Sequence, residues 1–400
     1  MRVLMVHNRY SSAAPSGEDV VVDAERRLLQ RAGHEVITYE RHVDELAAAG
    51  PLALARTALE LQGSGRTLRE LSALISAHRP EVAHFHNLFP SISASAYAAC
   101  AHGGVPVVQT IHNYRWSCVA ATHFRDGVLC EACEPGRPWP AVHHGCFRRS
   151  RAASVAAALA QWREHRRRTL ERGVSRFLAL TEFARQRLAR AGMPLARIGV
   201  RPNFVELPSA LPPTSIVEPP YAVYVGRLSD EKGILTLLEA WRDIRGLPLQ
   251  VIGDGRLRPQ CERFVVQHGI DARFLGNLPR PRALQAVAGA SMQLIPSRWF
   301  EGMPLVMLEA WALGVPVIAS VIGGLAEMIG ADERALGVAP GDAAGLRQAV
   351  ERLRASAELG SRLREAGRAR YAAAHTPQRG LESLLAEYAR AGREAGPRIV

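Results

Sequence analysis

"SRWFEGMPLVMLEAWALGVPVIAS", residues 297–320, follows one short apolar run and ends in another, with a helix-like segment between them. Pro304 suits the first turn of that helix, because its missing N–H has no partner to lose there. Gly314 suits the end of the helix. The stretch therefore predicts a helix over 303–313 between two parallel strands, which is the repeating unit of an α/β protein.

Two acidic residues lie in this apolar stretch, Glu301 before the predicted helix and Glu309 within it. Their spacing corresponds to roughly 12 Å along a helix axis, whereas the carboxyl pair of a retaining glycoside hydrolase is roughly 5–5.5 Å apart. The spacing suits the two ends of a nucleotide sugar, with its diphosphate over the helix N-terminal amides near 302–305. The alternative is that both acids are solvated and that the helix dipole alone favours Glu301.

Strand-like runs alternate with helix-like segments in two successive series, so we expect two doubly wound domains with parallel sheets. The expected strands are 2–8, 34–40, 81–87, 105–113 and 176–181, then 221–226, 249–255, 272–277, 292–297 and 315–320. Expected helices include 18–32, 66–78 and 341–372. Ligands bind at the carboxyl ends of such strands, and we expect the two edges to face each other across a cleft.

Proline-rich residues 207–220 predict a linker between the two domains. The expected organisation is an N-terminal Rossmann-like domain over 1–206 and a C-terminal Rossmann-like domain over 221–377. Residues 378–400 are expected to form a closing helix that packs back on the N-terminal domain. A chain of 400 residues has the length of two such domains.

The composition of the chain narrows the classes of function that it can have. The chain is 48% hydrophobic and 22% charged, with a formal net charge of +12, which favours anionic partners. It contains no nucleic-acid-binding motif, so we expect no nucleic-acid partner.

It has no apolar run of about 18–20 residues and no signal peptide, which predicts a cytoplasmic protein. Basic residues 148–173 are typical either of a helix lying on an anionic membrane or of an ordinary solvated helix.

A second motif, "YVGRLSDEKGI" at 224–234, follows an expected strand and opens a helix. Arg227 can bind a diphosphate with two parallel hydrogen bonds, and Lys232 supplies a point charge. The alternative is a helix start capped by Ser229 or Asp230, with Lys232 merely exposed.

These two motifs together resemble the retaining glycosyltransferases of family 4, which have the GT-B fold of two Rossmann-like domains. The resemblance extends to "GDG" (253–255), "FLGNL" (274–278) and "GGLAEMI" (323–329). It implies that Arg227 and Lys232 bind the donor diphosphate, that Glu309 holds the ribose and that Glu301 lies near the donor sugar. It also implies contacts to sugar and phosphate from Gly302, Met303, Pro304 and Leu305.

The same resemblance implies that no catalytic metal is needed and that the N-terminal half binds the acceptor. "YSSAAPSGEDVVV" at 10–22 resembles the flexible glycine-containing loop of the family, in which Gly17 would let the backbone approach phosphate or acceptor. "TIHNYRW" at 110–116 places His112 where the family has a histidine at the edge of the active site. The alternative for His112 is a buried, hydrogen-bonded histidine at a strand end.

Four of the six cysteines have the pattern C-x11-C-x2-C-x12-C. Four thiolates at such spacing suit one structural Zn²⁺. The alternative is a set of reduced thiols without metal in an acceptor loop, and neighbouring histidines are alternative ligands. The residues of the pattern are Cys118, Cys130, Cys133 and Cys146.

We therefore expect a retaining glycosyltransferase of the hexosyltransferase type. It would move a sugar from a UDP- or GDP-type donor to a hydroxyl of a carbohydrate, lipid-linked or small-molecule acceptor in polysaccharide or glycoconjugate biosynthesis, either in the cytoplasm or peripherally on the inner face of the membrane. The alternatives are a nucleotide-sugar epimerase of the same fold and a non-catalytic nucleotide-sugar-binding protein.

Overall fold

The computed structural model of the protein describes residues 1–10, 16–48, 63–208, 219–331 and 333–394. The chain divides into two compact units: residues 1–123, 131–203 and 377–400 form the first, and residues 124–130 and 204–376 form the second. Each unit contains a six-stranded parallel sheet with helices in its crossovers. The predicted fold class of two doubly wound α/β domains is confirmed. Most of the predicted linker, residues 209–218, lies outside the described residues.

The sheet of the first unit has the order β2-β1-β3-β4-β7-β8. Its central strands are almost entirely buried, as expected for parallel strands covered on both faces. The strands are β1 Arg2–Arg9, β2 Glu35–His42, β3 Val82–Phe85, β4 Val107–Ile111, β7 Arg176–Ala179 and β8 Ile198–Val200. A separate hairpin pairs β5 Phe124–Arg125 with β6 Val128–Leu129.

Helices of the first unit are α1 Gly17–Arg31, α2 Val43–Ala48, α3 Gly65–His78, α4 Ser95–His102, α5 Trp139–His143, α6 Arg151–Arg167, α7 Thr169–Gly173, α8 Glu182–Arg190 and α16 Pro377–Glu394. The last of these comes from the far end of the chain. Leu384 and Tyr388 of α16 pack into the same apolar cluster as Val3 of β1. Glu387 pairs with Arg176 of β7, with Oε2 2.9 Å from Nη2. These contacts hold α16 on the first unit.

The sheet of the second unit has the order β11-β10-β9-β12-β13-β14. Its strands are β9 Ala222–Val225, β10 Leu249–Ile252, β11 Ala272–Gly276, β12 Met292–Ile295, β13 Val317–Ser320 and β14 Leu336–Val338. Its helices are α9 Ile234–Trp241, α10 Arg258–His268, α11 Arg280–Ala288, α12 Leu305–Leu313, α13 Gly323–Ile329, α14 Ala343–Ala355 and α15 Ala357–Ala374. No helix in the described part of the chain combines the length and the apolar character that a bilayer span requires.

The helix of the opening stretch begins later than predicted. Pro304 has ψ 121°, an extended value, so it precedes α12 instead of forming its first turn. Gly314 ends the helix in the left-handed conformation, as predicted. The helix predicted over 341–372 is two helices, because Ser356 is extended and its hydroxyl caps the second one. Strands β8 and β14 have only three residues each, too few for a recognisable pattern.

Residues 124–130 belong to the second unit, although the sequence placed them in the first domain. Arg298 accounts for this assignment, because its Nη2 donates to the Gly127 carbonyl at 2.6 Å. Its guanidinium also lies 5.9 Å from the centre of the Phe124 ring. Such contacts between segments distant in sequence leave no local pattern.

Gly233 is expected to be essential for the fold of the second unit. It has φ +72°, and a Cβ atom there would lie 1.9 Å from the Pro296 carbonyl oxygen. We expect Gly233→Ala to lower the free energy of unfolding by about 2–4 kcal/mol, because both the backbone conformation and this carbonyl oppose a methyl group. Denaturant unfolding measures the loss.

Gly269→Ala is the matched control, since Gly269 has φ +59° but open space around its Cβ position. Its loss should be limited to the cost of the left-handed conformation, about 1–2 kcal/mol. Equal losses in the two variants would contradict the steric argument.

Candidate active site

A partly buried ion pair joins two of the predicted site residues in the second unit. Lys232 Nζ lies 2.8 Å and 3.0 Å from the two carboxylate oxygens of Glu301. Ser297 Oγ donates to the same carboxylate at 2.6 Å. Glu301 follows β12 and Lys232 follows β9, and these strands are neighbours in the sheet. Only 5% of Glu301 is exposed, which excludes the alternative that this acid is solvated.

The charge of Glu301 follows from its surroundings. Burial by itself raises the pKa of the carboxyl, but the Lys232 charge and the hydrogen bonds from Lys232 and Ser297 outweigh it and leave the pKa below its ordinary value. Glu301 is therefore a carboxylate at neutral pH. Lys232 also lies 5.3 Å from the centre of the Trp299 ring, a cation–π contact.

Glu309 lies within α12 and pairs with an arginine that the sequence analysis did not single out. Arg280 Nε and Nη2 lie 3.0 Å and 2.9 Å from Glu309 Oε1. Arg280 Nη2 also donates to the Glu206 carbonyl at 3.2 Å. Burial raises the pKa of Glu309, and Arg280 offsets part of this rise. Both acids of the opening stretch thus have a basic partner.

Arg227 is exposed, with 60% of its side chain accessible. Its Nη2 donates to Glu231 Oε1 at 2.8 Å, and Ser229 donates to the same oxygen at 2.7 Å. The Ser229 hydroxyl does not cap the short 3-10 helix Asp230–Lys232. Arg227 and Lys232 lie on the same loop after β9, but each is paired with a different carboxylate.

Residues 302–305 lead from Glu301 into α12. The helix begins at Leu305, so its first-turn N–H groups point out of that end of the helix, beside the segment that carries Glu301. Met303 is buried, and Pro304 has no N–H to offer. The backbone N–H groups that follow Glu301 in the chain are therefore those of Gly302, Met303 and the first turn of α12.

In the first unit, His112 follows β4 and is bonded to a second histidine. Its Nε2 lies 2.9 Å from Nδ1 of His86, and the two rings are stacked with centroids 5.3 Å apart. Burial is the main cause that lowers the pKa of His112, to about 3. The imidazole is therefore neutral at physiological pH, so it can accept a hydrogen bond.

His112 lines a cavity of about 130 Å³ that lies wholly within the first unit. Its wall combines aromatic side chains with partly buried charged groups, a mixture typical of small-molecule sites. Burial raises the pKa of Glu18 and of Glu164 to about 7. Among the lining residues are Glu18, Phe89, Arg115, Trp116 and Glu164.

Helix α6 forms part of this wall. Ala157, Ala160, Gln161 and Glu164 of the helix line the cavity. The basic segment 148–173 thus has one face with a structural role, and contact of its exposed face with a membrane stays a prediction.

Gly17 is the first residue of α1, directly after the N-cap Ser16. Ser16 and Asp19 form a reciprocal capping box. A Cβ atom at Gly17 would meet nothing within 4 Å, so neither the packing nor the backbone requires glycine there. Its predicted approach to phosphate or acceptor stays a prediction. Residues 11–15 of the same loop lie outside the described residues.

The cysteine pattern is not gathered around one point. Within the described residues, Glu25, His84 and His86 are the only group of three or more acids, histidines or cysteines whose ligand atoms lie within 4.8 Å of one another. Cys118 Sγ accepts from the His123 N–H at 3.4 Å, and Cys133 Sγ donates to the Pro138 carbonyl at 3.9 Å. Cys133 and Cys146 pack beside a small apolar cluster that contains Val119 and Ala141. The zinc site stays a prediction, without support from this geometry.

Sequence reasoning missed the partners of the predicted site residues. Arg280 lies 29 residues from Glu309, and no local pattern connects them. A signal did exist for the histidines: His84 and His86 alternate in "HFHN", so both point to the same face of a buried strand. Two histidines on one face of a strand without other polar residues indicate a polar layer inside the fold.

Each half of the chain matches a known protein family. Residues 15–208 match the family described as Glycosyltransferase Family 4, and residues 212–370 match Glycosyl transferases group 1. The chain is 26% identical over 268 residues to the alpha-D-kanosaminyltransferase of Streptomyces kanamyceticus, covering 66% of this chain and 64% of that one. It is 31% identical over 150 residues to the lipopolysaccharide core biosynthesis glycosyltransferase LpsE of Rhizobium meliloti, covering 37% and 43%.

Several curated relatives are matched over about a third of their own length, 32% in one and 33% in another. Solved structures match over nearly the whole chain. Sucrose-phosphate synthase from Thermosynechococcus elongatus has a TM-score of 0.70 at 19% identity, covering 97% of this chain and 98% of that one. Anabaena HepE in complex with UDP-glucose has a TM-score of 0.63 at 14% identity, covering 96% and 100%.

The two parallel-sheet units match GT-B structures, and the two family profiles together span most of the chain. The chain belongs to the group 1, family 4 glycosyltransferases.

Proposed function

We propose that the protein is a retaining glycosyltransferase that moves a sugar from a nucleoside diphosphate sugar to an acceptor hydroxyl. The observation that carries the proposal is the partly buried Lys232–Glu301 pair, which lies at the ends of adjacent strands next to the start of α12. A cation, a carboxylate and helix amides at one sheet edge are the groups that a sugar diphosphate needs.

The leaving diphosphate is stabilised by positive groups of the second unit. In this proposal Arg227, Lys232 and the amides at the start of α12 stabilise the negative charge that develops on the diphosphate as its bond to the sugar breaks. The Lys232 ammonium has three N–H donors, so it can keep one Glu301 oxygen and still donate to a phosphate oxygen. The proposal includes no catalytic metal.

The two acids hold opposite ends of the donor. Glu301 is a carboxylate and accepts from hydroxyls of the transferred sugar, while Glu309 accepts from the ribose hydroxyls. Arg280 favours the ionised form of Glu309 against the effect of burial. We assign no enzymic nucleophile, and the acceptor attacks on the face from which the diphosphate leaves.

The acceptor binds in the first unit, in the cavity lined by His112 and Trp116. Aromatic walls with partly buried carboxyl groups suit a hydroxylated ring. The names of the kanosaminyl and lipopolysaccharide-core relatives favour a carbohydrate, lipid-linked or small-molecule acceptor. The UDP-glucose complex of HepE favours a UDP-type donor, with GDP as the second donor to be tested.

Release of nucleoside diphosphate from a panel of UDP- and GDP-sugars tests the proposal. We expect slow hydrolysis of one donor without acceptor, and binding of its nucleoside diphosphate measurable by calorimetry. Arg227→Ala should weaken that binding by about 2–3 kcal/mol, because it removes a charged hydrogen-bond donor.

Arg242→Ala is the matched control for Arg227→Ala. Arg242 is also exposed and paired with a glutamate, at 2.7 Å, but it directly follows the last residue of α9, at the opposite end of that helix from Lys232. Its affinity for the diphosphate should equal that of the wild type. Unchanged affinity in Arg227→Ala, or no binding of any member of the panel to the wild type, would refute the assignment.

Substitution of the two acids should separate binding from turnover. Glu309→Gln should mainly raise the Kd for the nucleoside diphosphate, since it contacts the ribose. Glu301→Gln should mainly lower kcat, by about 10²-fold, since it contacts the reacting sugar. Calorimetry and steady-state kinetics on both variants measure the difference. The reverse pattern would exchange the two roles.

His112 should matter for turnover more than for donor affinity. We expect His112→Ala to lower kcat by about 10²-fold or more, as for a positioned polar group that contacts the reacting substrate. Nucleoside diphosphate affinity should change little. Melting temperature and kcat are measured on the same preparation, and full activity per folded molecule would show that His112 has only a structural role.

A further inference from the structure

A buried polar cluster lies behind His112 in the first unit, and the proposed function gives it no role, although one member, His86, lines the same cavity. Glu25 of α1 has no exposed surface, and one of its oxygens, Oε1, contacts the guanidinium of Arg201, which is equally buried. Burial raises the pKa of Glu25, but the adjacent guanidinium keeps its proton in any protein environment and opposes that rise, so we assign Glu25 as a carboxylate. The second oxygen of this carboxylate, Oε2, is left for another partner.

That partner is His86. Glu25 Oε2 and His86 Nε2 are both buried, and neither is within hydrogen-bonding geometry of any group in the described chain. The two atoms face each other at 3.5 Å. His84, which is also near Oε2, already bonds Tyr388 and Thr110 through its two ring nitrogens, at 2.8 Å each. His86 is therefore the group left to satisfy the carboxylate.

The positions of the protons on Glu25, His86 and His112 follow from donor and acceptor chemistry. A carboxylate only accepts, so His86 Nε2 carries the hydrogen. Burial lowers the pKa of His86 well below its usual value and keeps the ring neutral, so its Nδ1 is an acceptor. His112 Nε2, at 2.9 Å, must then donate to His86 Nδ1.

This order leaves one nitrogen of His112 without a proton. His112 Nδ1 has no hydrogen-bond partner among the described residues, and the side chain lines the cavity. We propose that Glu25 and His86 are positioning residues that hold His112 in the tautomer protonated at Nε2, so that Nδ1 accepts a hydrogen bond from a sugar hydroxyl. The tautomer assignment stands on the hydrogen-bond geometry and on the neutral state of the buried His86 ring, and its effect on turnover rests on the proposed function.

The same cluster has the composition of a cation site, since Glu25, His84 and His86 have ligand atoms close together. Three observations favour a relay of hydrogen bonds, from Glu25 through His86 to His112, over a bound cation. Arg201 already neutralises the carboxylate, both nitrogens of His84 have neutral partners, and the second nitrogen of His86 is bonded to His112.

Nitrogen NMR of the full chain, labelled with ¹⁵N at histidine, tests the tautomer without any change to the cluster. The signals of residue 112 are identified by their loss in His112→Ala. We expect a neutral ring with the proton on Nε2 and an unprotonated Nδ1. A proton on Nδ1, or a ring that is charged at neutral pH, would overturn the proposal, as would a stoichiometric metal ion lost from the protein in Glu25→Gln.

Kinetics test the consequence for catalysis. Glu25→Gln and His86→Phe should each lower kcat by about tenfold or more with the donor KM unchanged, because each breaks the orientation of a group that contacts substrate. Neither should lower kcat further in a His112→Ala background, because the relay acts only through His112. His86→Phe leaves the Glu25–Arg201 pair intact, so it remains informative if Glu25→Gln does not fold.

Tyr388→Phe is the matched control. It removes a hydrogen bond to His84 inside the same buried cluster but leaves the path from Glu25 to His112 untouched. Its kcat per folded molecule should equal that of the wild type. Equal losses of kcat in the wild-type and His112→Ala backgrounds would show that Glu25 and His86 are merely structural and would overturn the proposal. Full activity of His112→Ala would instead refute the role of His112 in the proposed function, and the NMR result would still decide the tautomer.

Discussion

Burial of parallel strands on both faces is the constraint on which the rest of this structure depends. In each unit the central strands have almost no exposed residue, so polar side chains collect where strands end. Lys232 and Glu301 meet because β9 and β12 are neighbours and run in the same direction. Any pair of residues that follow adjacent parallel strands is brought to one edge in this way, and in the second unit these two are a cation and an acid.

A buried charge needs a partner, and this requirement determines the shape of the site. Glu301 is held by Lys232 and Ser297, and Glu309 by Arg280. Such pairs contribute little net stability, because desolvation of both charges offsets much of their attraction. Their effect is to orient the carboxylates before a substrate arrives, which lowers the cost of reorganisation during a reaction.

The first unit meets the same requirement inside its sheet. His84 and His86 lie on one face of β3 and the segment that follows it, and Glu25 on α1 reaches them from the covering helix. Tyr388 arrives from α16 at the far end of the chain. A layer that would be apolar in most such folds is therefore a network of buried polar groups, in which both ring nitrogens of His84 have hydrogen-bond partners.

Much of the architecture could be predicted from the sequence because its signals are local. The alternation of apolar runs and helical segments indicated two α/β units, and Gly314 marked the end of α12. The residues after β9 and β12 indicated the candidate site of the second unit. The start of α12 was wrong by two residues, since whether Pro304 lies inside the helix depends on its ψ angle. Strands of three residues and the placement of 124–130 in the second unit had no local signal.

The pairing of charges was decided by tertiary structure alone. Arg280 is 29 residues from Glu309, and Arg201 is 176 residues from Glu25. The cysteine spacing that suggested a zinc site likewise did not determine where the sulfurs lie, because the segment between them has little regular structure. A sequence pattern specifies which residues follow a strand, since that depends on neighbours along the chain. It does not specify which buried group each one meets, because that depends on the order of strands in the sheet and on the helices that cover it.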